Sequence, residues 1–169
     1  MEDGTVFEGK SFGFEKACSG EVVFNTAMTG YPESLTDPSY EGQVLVTTFP
    51  LIGNYGVPPK EEQDGVARYF ESSRIHCEAI VCQDYSWEYS HWLAEESLSD
   101  WLKREQVVGV YGIDTRALTK LLREKGSMLG RIFIEGAEKP EFYDPNKENL
   151  VAKVSCKKVE TYGDGDKKI

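Results

Sequence analysis

Val107-Val108-Gly109-Val110-Tyr111-Gly112-Ile113 runs directly into Asp114-Thr115-Arg116-Ala117-Leu118-Thr119-Lys120-Leu121-Leu122-Arg123-Glu124-Lys125-Gly126, and this stretch decides the fold class. Its first half is rich in β-branched residues and predicts a strand. Asp114 then stands where a helix needs a side-chain acceptor for its first free N–H groups. Ala117, Leu118, Leu121 and Leu122 recur at i, i+1, i+4 and i+5, one apolar stripe of a helix over 115–125. Gly126 stands where a glycine ends helices, and Leu129-Gly130-Arg131-Ile132-Phe133-Ile134 returns as a strand. A strand–helix–strand unit of this kind belongs to an α/β fold.

Working outward, His76-Cys77-Glu78-Ala79-Ile80-Val81-Cys82 predicts a further strand. Ser97 predicts the start of a helix over 98–104, with Asp100 in the place where a capping box usually has Glu or Gln. A second helix is expected over Gly65 to Ser72, with Val66, Tyr69 and Phe70 on one face. Nearer the N-terminus, Val6 to Phe12, Glu21 to Thr26 and Gln43 to Phe49 read as strands punctuated by glycines. Tyr31 to Tyr40, with two prolines and several capping residues, reads as a loop with a short helical turn. Strands lead and helices alternate with strands later, which predicts a layered β/β/α architecture. From Glu135 onward the chain turns polar, with a turn at Asp144-Pro145-Asn146-Lys147 and a linker-like stretch after Tyr162.

With 169 residues, the chain fits one domain and can bury roughly 70% of its unfolded surface, so no disulfide or metal staple is required. Its 19 Lys+Arg against 29 Asp+Glu give a formal net charge of −10. That balance argues against nucleic-acid binding, which depends on cations meeting phosphates. No apolar run approaches the ~18 residues of a membrane-spanning helix, and the start, Met1-Glu2-Asp3-Gly4, lacks the marks of a secretory signal. A soluble, cytoplasmic protein with no membrane partner is expected.

Motifs for chemistry are scarce. Cys18, Cys77, Cys82 and Cys156 show no C-x-x-C spacing, and with His76 and His91 as the available imidazoles a metal site is not expected. All four thiols are read as small packed residues. Cys18 lies in the loop-like Ala17-Cys18-Ser19-Gly20, where a nucleophile could sit, but no base pairs with it in sequence. There is neither a G-x-S-x-G elbow nor a phosphate loop. His76 and His91 could each serve as a general base, but both are better read as structural or surface histidines. Trp87, Tyr89, Trp92 and Trp101 could form a binding platform, although packing of a loop and helix onto the sheet is the simpler reading. Asp114 and Thr115 are explained by a helix start, which leaves Arg116 as a possible anchor for a carboxylate. The loops around Met28 to Tyr40 and Pro50 to Gly56 carry unusually many apolar residues, as loops covered by a neighbour do.

These loops carry a resemblance. Glu2-Asp3-Gly4-Thr5, Gly20-Glu21-Val22-Val23-Phe24-Asn25-Thr26, Thr29-Gly30-Tyr31-Pro32-Glu33, Leu35-Thr36-Asp37-Pro38-Ser39-Tyr40 and Pro50-Leu51-Ile52-Gly53-Asn54 occur in order. Gly112-Ile113-Asp114-Thr115-Arg116-Ala117-Leu118-Thr119 and Leu122-Arg123-Glu124-Lys125-Gly126 follow them. Together they resemble the amino-terminal domain of the small, glutamine-hydrolysing subunit of carbamoyl-phosphate synthase.

The resemblance implies a three-layer β/β/α swivelling domain over residues 1–159 and, over 160–169, the start of a linker to a glutamine amidotransferase domain. That second domain would hold the Cys, His and Glu of glutamine hydrolysis, so no catalytic residue is expected in this chain. It also implies a large subunit as partner, which uses ATP and magnesium with bicarbonate and ammonia to make carbamoyl phosphate for arginine and pyrimidine synthesis. No cofactor is expected on this domain itself. One contact carries over: the serine of the D-P-S-Y motif, here Ser39, would hydrogen-bond glutamine at the domain boundary. Two other readings stay open: a free-standing module that binds a small metabolite, and a hydrolase using Cys18 or His91.

Overall fold

A computed structural model describes residues 1–163 and Gly165, so the last part of the expected linker, Asp164 and residues 166–169, lies outside the described residues. In chain order the strands are β1 (Lys10–Ser11), β2 (Cys18–Asn25), β3 (Gln43–Thr47), β4 (Leu51–Ile52), β5 (Glu62–Gln63), β6 (Val66–Ala67), β7 (Ala79–Val81), β8 (Asp84–Tyr85), β9 (Val108–Tyr111) and β10 (Met128–Ile132). The α-helices are α1 (Tyr31–Thr36), α2 (Leu98–Arg104), α3 (Thr115–Lys125) and α4 (Leu150–Val154). Short 3-10 turns cover Pro38–Tyr40 and Pro145–Lys147.

Six of the strands form a mixed sheet in the order β1-β9-β7-β3-β2-β10. The four central strands, β9, β7, β3 and β2, run parallel, and β1 and β10 close the edges antiparallel. The class is therefore mixed α/β, as the strand–helix–strand stretch predicts.

Alternation along the central strands builds two cores. Leu45 and Ile80, both fully buried, point to one face. There they meet Tyr31 and Leu35 of α1, Leu98, Trp101 and Leu102 of α2, and Ile52 and Tyr85 of the small β4–β8 ladder. Val44, Val46, Ala79 and Val81 point the other way, against Leu118 and Leu122 of α3. Each fully buried aliphatic side chain here contributes about 1.5–3 kcal/mol relative to exposure. Both faces of the parallel strands are thus covered, as burial of a parallel sheet requires.

The helix signals read from sequence are realised in atomic detail. Asp114 Oδ1 accepts the Ala117 N–H at 2.8 Å, and Gly126 N–H donates to Leu122 O at 2.9 Å. Ser97 Oγ accepts the Asp100 N–H at 3.0 Å and itself donates to Asp100 Oδ2 at 2.7 Å. The acid therefore steadies the capping hydroxyl rather than the backbone N–H that a capping box uses.

Five expectations need correction. Residues 65–72 form no helix: β5 and β6 pair as a hairpin around Asp64 and Gly65, whose φ angles are +54° and +79°. Asp-Gly is a strong two-residue hairpin signal, and two positive φ values stop a right-handed helix there. Val66 is exposed, while Phe70 reaches back onto Trp101 at 5.4 Å between rings. The Val6–Phe12 strand shrinks to Lys10–Ser11, the residues paired with Tyr111 and Val110. Cys18 is not in a loop; it opens β2 opposite Ile132 and is buried. Cys156 is exposed, unlike the other three thiols. The segment after the Asp144 turn also contains α4, capped by Asn149 Oδ1 on the Ala152 N–H at 3.0 Å.

Candidate functional site

The Ser39 turn follows from its own sequence. Pro38 favours a turn start, and Asp37 is the residue whose carboxylate can accept from the backbone two positions on. Asp37 Oδ1 accepts the Ser39 N–H at 2.8 Å, and Tyr40 N–H and Glu41 N–H donate to Asp37 O and Pro38 O, both at 3.1 Å. The turn is held by the Asp37 carboxylate and the backbone. The Ser39 hydroxyl takes no part in it: the residue is exposed and its Oγ has no hydrogen-bond partner among the described residues.

Neighbouring elements fix the turn from two sides. At the end of β2, Asn25 Nδ2 donates to Ser34 Oγ of α1 and to Tyr40 OH, both at 3.2 Å. The C-terminal end of α1 would leave carbonyls without partners. Instead His76 N–H donates to Leu35 O at 2.9 Å, Ser72 Oγ–H donates to Thr36 O at 2.6 Å, and Glu71 N–H donates to Thr36 Oγ1 at 3.0 Å.

Directly after the turn stands Glu41, 6% exposed, with three basic side chains on its carboxylate. His76 Nδ1–H lies 2.6 Å from Oε2, Arg74 Nη2 lies 2.8 Å from the same oxygen, and Lys153 Nζ of α4 lies 3.2 Å from Oε1. Burial by itself would raise the Glu41 pKa. The hydrogen bonds from His76, Lys153 and Arg74 outweigh it, and the carboxyl titrates below its ordinary value.

Ser72 Oγ, His76 Nε2 at 2.9 Å and Glu41 beyond Nδ1 have the spacing of a nucleophile–base–acid relay. The chemistry differs. A hydroxyl has one proton, and the Thr36 carbonyl at 2.6 Å takes it, while His76 is buried. The three residues form a clasp between segment 71–76 and the Ser39 turn.

The other residues singled out in the sequence are spread apart. Burial pushes the Cys18 thiol up to about 12, so it is held protonated at neutral pH. His91 is exposed, with its Nδ1 accepting the Leu93 N–H at 3.2 Å. Arg116 is exposed on α3, against the sheet face opposite to α1, and makes no ion pair among the described residues. Of the aromatics, Trp101 packs into the core as expected. Trp87 stands edge-on to Tyr85 and Tyr111 yet is 60% exposed, and Trp92 is 86% exposed beside His91.

This turn and α1 lie within the part of the chain that known proteins match. Residues 1–132 match the family model of the carbamoyl-phosphate synthase small chain, CPSase domain. This chain belongs to that family. Among its relatives, the arginine-specific small chain of carbamoyl phosphate synthase from Eremothecium gossypii is 53% identical over 160 residues, 93% of this chain and 40% of that protein. The multifunctional protein URA2 of Saccharomyces cerevisiae is 51% identical over 182 residues, 96% of this chain and 8% of that protein. The human protein named carbamoyl-phosphate synthase (ammonia), mitochondrial, is 50% identical over 168 residues, 98% of this chain and 11% of that protein. The chain thus spans less than half the length of each of these relatives. Among the described residues, no helix is long and apolar enough to cross a membrane.

Glu41 and Lys153 have no sequence signal that marks them. They lie far apart in the chain, and a single acid after a D-P-S-Y turn reads as a solvated residue. His76 was visible as a histidine, but its partners were not.

Proposed function

We propose that this chain is the amino-terminal, non-catalytic domain of a glutamine-hydrolysing carbamoyl-phosphate synthase, and that Ser39 hydrogen-bonds the substrate glutamine. The observation that carries this reading is the Ser39 hydroxyl itself: exposed, without a hydrogen-bond partner among the described residues, and presented by a turn that Asp37, Asn25 and the α1 clasp immobilise. A hydroxyl so placed can both donate to a carboxylate and accept from an amide. Its ordering cost is already met by the fold, so its hydrogen bond adds to affinity. Burial and raised pKa of Cys18 weigh against a hydrolase that uses this thiol.

In this reading residues 1–159 are a three-layer β/β/α swivelling domain; the β4–β8 ladder against one face of the main sheet and α3 against the other support that arrangement, with α1 and α2 packed on the ladder's side. The partners are a glutaminase domain in the same polypeptide and the large synthase subunit. The large subunit, with ATP and magnesium, combines ammonia and bicarbonate into carbamoyl phosphate, the precursor for arginine and pyrimidines. A cytoplasmic location goes with this reading, and cell fractionation checks it directly.

The test is kinetic. In the complete enzyme Ser39→Ala should raise the glutamine KM about two- to twelvefold, the equivalent of one hydrogen bond of about 0.5–1.5 kcal/mol. Synthesis driven by added ammonia should be unchanged. An unaltered glutamine KM removes Ser39 from the site. The isolated domain should neither hydrolyse glutamine nor bind it saturably, whereas a free-standing metabolite module would bind it. A second reading is favoured by the human relative, whose name specifies ammonia: the complete protein uses free ammonia, and glutamine then supports no synthesis at all.

A further inference from the structure

We propose that Lys153 is a positioning residue for the Ser39 turn, acting through Glu41; the inference rests on the reading of Ser39 as a glutamine contact. Glu41 closes the turn, since its N–H donates to Pro38 O at 3.1 Å. Movement of the Glu41 backbone is therefore movement of the Ser39 turn. Its carboxylate is divided between two elements. His76 and Arg74, from the segment before β7, both hold Oε2. Among the described residues Oε1 meets Lys153 Nζ of α4, at 3.2 Å.

The segment that carries Lys153 is itself fastened to the sheet. Tyr143 N–H donates to Ser19 Oγ at 2.9 Å, and Ser19 Oγ–H donates to Gly130 O at 3.0 Å, which ties residue 143 to both β2 and β10. Pro145 and Tyr143 then pack under Gly42, so closely that a Cβ there would lie 3.0 Å from Pro145 Cβ and 3.3 Å from Tyr143 Cε1. Gly42 has φ +75°, a backbone conformation that favours glycine, immediately beside Glu41. The turn is thus gripped from beneath by residues 143–153, with Glu148 steadying the same Lys153 Nζ at 3.7 Å. A hydroxyl that binds a ligand through a single hydrogen bond depends on this kind of support, because a displacement of an ångström removes the bond. In the amide-binding role, Lys153 sets where Ser39 stands rather than touching glutamine.

The experiment uses the complete enzyme with Lys153→Met, Lys153→Arg, Ser39→Ala and the Ser39→Ala/Lys153→Met double variant. Lys153→Met leaves His76 and Arg74 on Glu41 and keeps the stem length of residue 153, so the clasp survives. The expected result is a glutamine KM raised on the order of two- to fivefold by Lys153→Met, with kcat and ammonia-driven synthesis unchanged, and restored by Lys153→Arg. In the Ser39→Ala background Lys153→Met should add nothing, because its effect runs through the serine. If Ser39→Ala raises the glutamine KM and Lys153→Met does not, the inference is overturned while the reading of Ser39 stands. An equal loss of ammonia-driven synthesis in Lys153→Met, or full additivity in the double variant, also overturns it. If Ser39→Ala itself has no effect, the glutamine reading falls and the inference falls with it.

Discussion

The Glu41 carboxylate and the His76 imidazole, each 6% exposed, share a 2.6 Å hydrogen bond between Oε2 and Nδ1. The pair joins the end of the Ser39 turn to the residue whose backbone N–H caps the α1 carbonyl of Leu35. Removing the imidazole leaves a buried carboxylate short of one donor and Ser72 Oγ short of one partner. His76→Ala should therefore destabilise the domain by about 1.5–3 kcal/mol, the range for hydrogen bonds to charged groups. Ser72→Ala should cost less, about 0.5–1.5 kcal/mol, because it removes a neutral hydroxyl. Urea unfolding with an unchanged m-value reads both numbers. A His76→Ala protein as stable as the parent would show that the clasp contributes nothing.

Glu41 also sets a pH dependence. Its folded-state pKa lies below the ordinary carboxylate value, so folding favours the ionised form. The resulting stability is present at pH values above the unfolded pKa, about 4.3, and is lost as pH falls through the depressed folded value. The groups that face the carboxylate are His76, Arg74 and Lys153, with Glu148 behind Lys153. Unfolding midpoints should decline over the acid window that opens as pH falls to about 4.3 and below. Glu41→Gln should be less stable near neutrality and show a shallower decline over the same window. Parallel pH curves for the two proteins would remove Glu41 from the acid transition.

The thiols give a prediction independent of the site. Cys18 and Cys82 are buried, and burial pushes both thiols up to about 12; Cys77 is buried and pushed up likewise. Cys156 is exposed after α4. A thiolate-specific reagent at neutral pH should label Cys156 quickly in the native protein and leave the other three until the chain is unfolded. Mass mapping of rapid label on Cys18 would overturn its placement in β2.

What the sequence conveyed depended on the range of the interaction. The α3 helix, with Asp114 at its start and Gly126 at its end, was legible because cap, stripe and stop lie within one short stretch. Ser97 and the turn of Asp37-Pro38-Ser39-Tyr40 were legible for the same reason. The hairpin at Asp64-Gly65 was equally local, and reading Val66, Tyr69 and Phe70 as a helical face overlooked a turn signal present in the residues. Glu41 was not legible at all. Its three partners come from two other segments, and nothing local distinguishes an acid destined for burial from one in solvent. Trp92 makes the converse case: packing of a loop onto the sheet is the simpler reading of that aromatic, yet it stands exposed at the loop surface.

Gly42 ties that long-range cluster to backbone geometry. Its φ of +75° is unfavourable for any residue with a Cβ, by roughly 1–2 kcal/mol. A Cβ there would also press on Pro145 Cβ at 3.0 Å and Tyr143 Cε1 at 3.3 Å. Relief by moving Tyr143 would pull on its N–H bond to Ser19, so the neighbours cannot yield freely. Gly42→Ala should accordingly cost more than the conformational term alone, about 2 kcal/mol or above. The strain falls between the Ser39 turn and the segment that supports it, so amide exchange should speed up in Glu41, Tyr143 and Lys153 before it does in the α3 helix. Uniform acceleration across the sheet and α3 would mean that Gly42 serves the global fold and not this local junction.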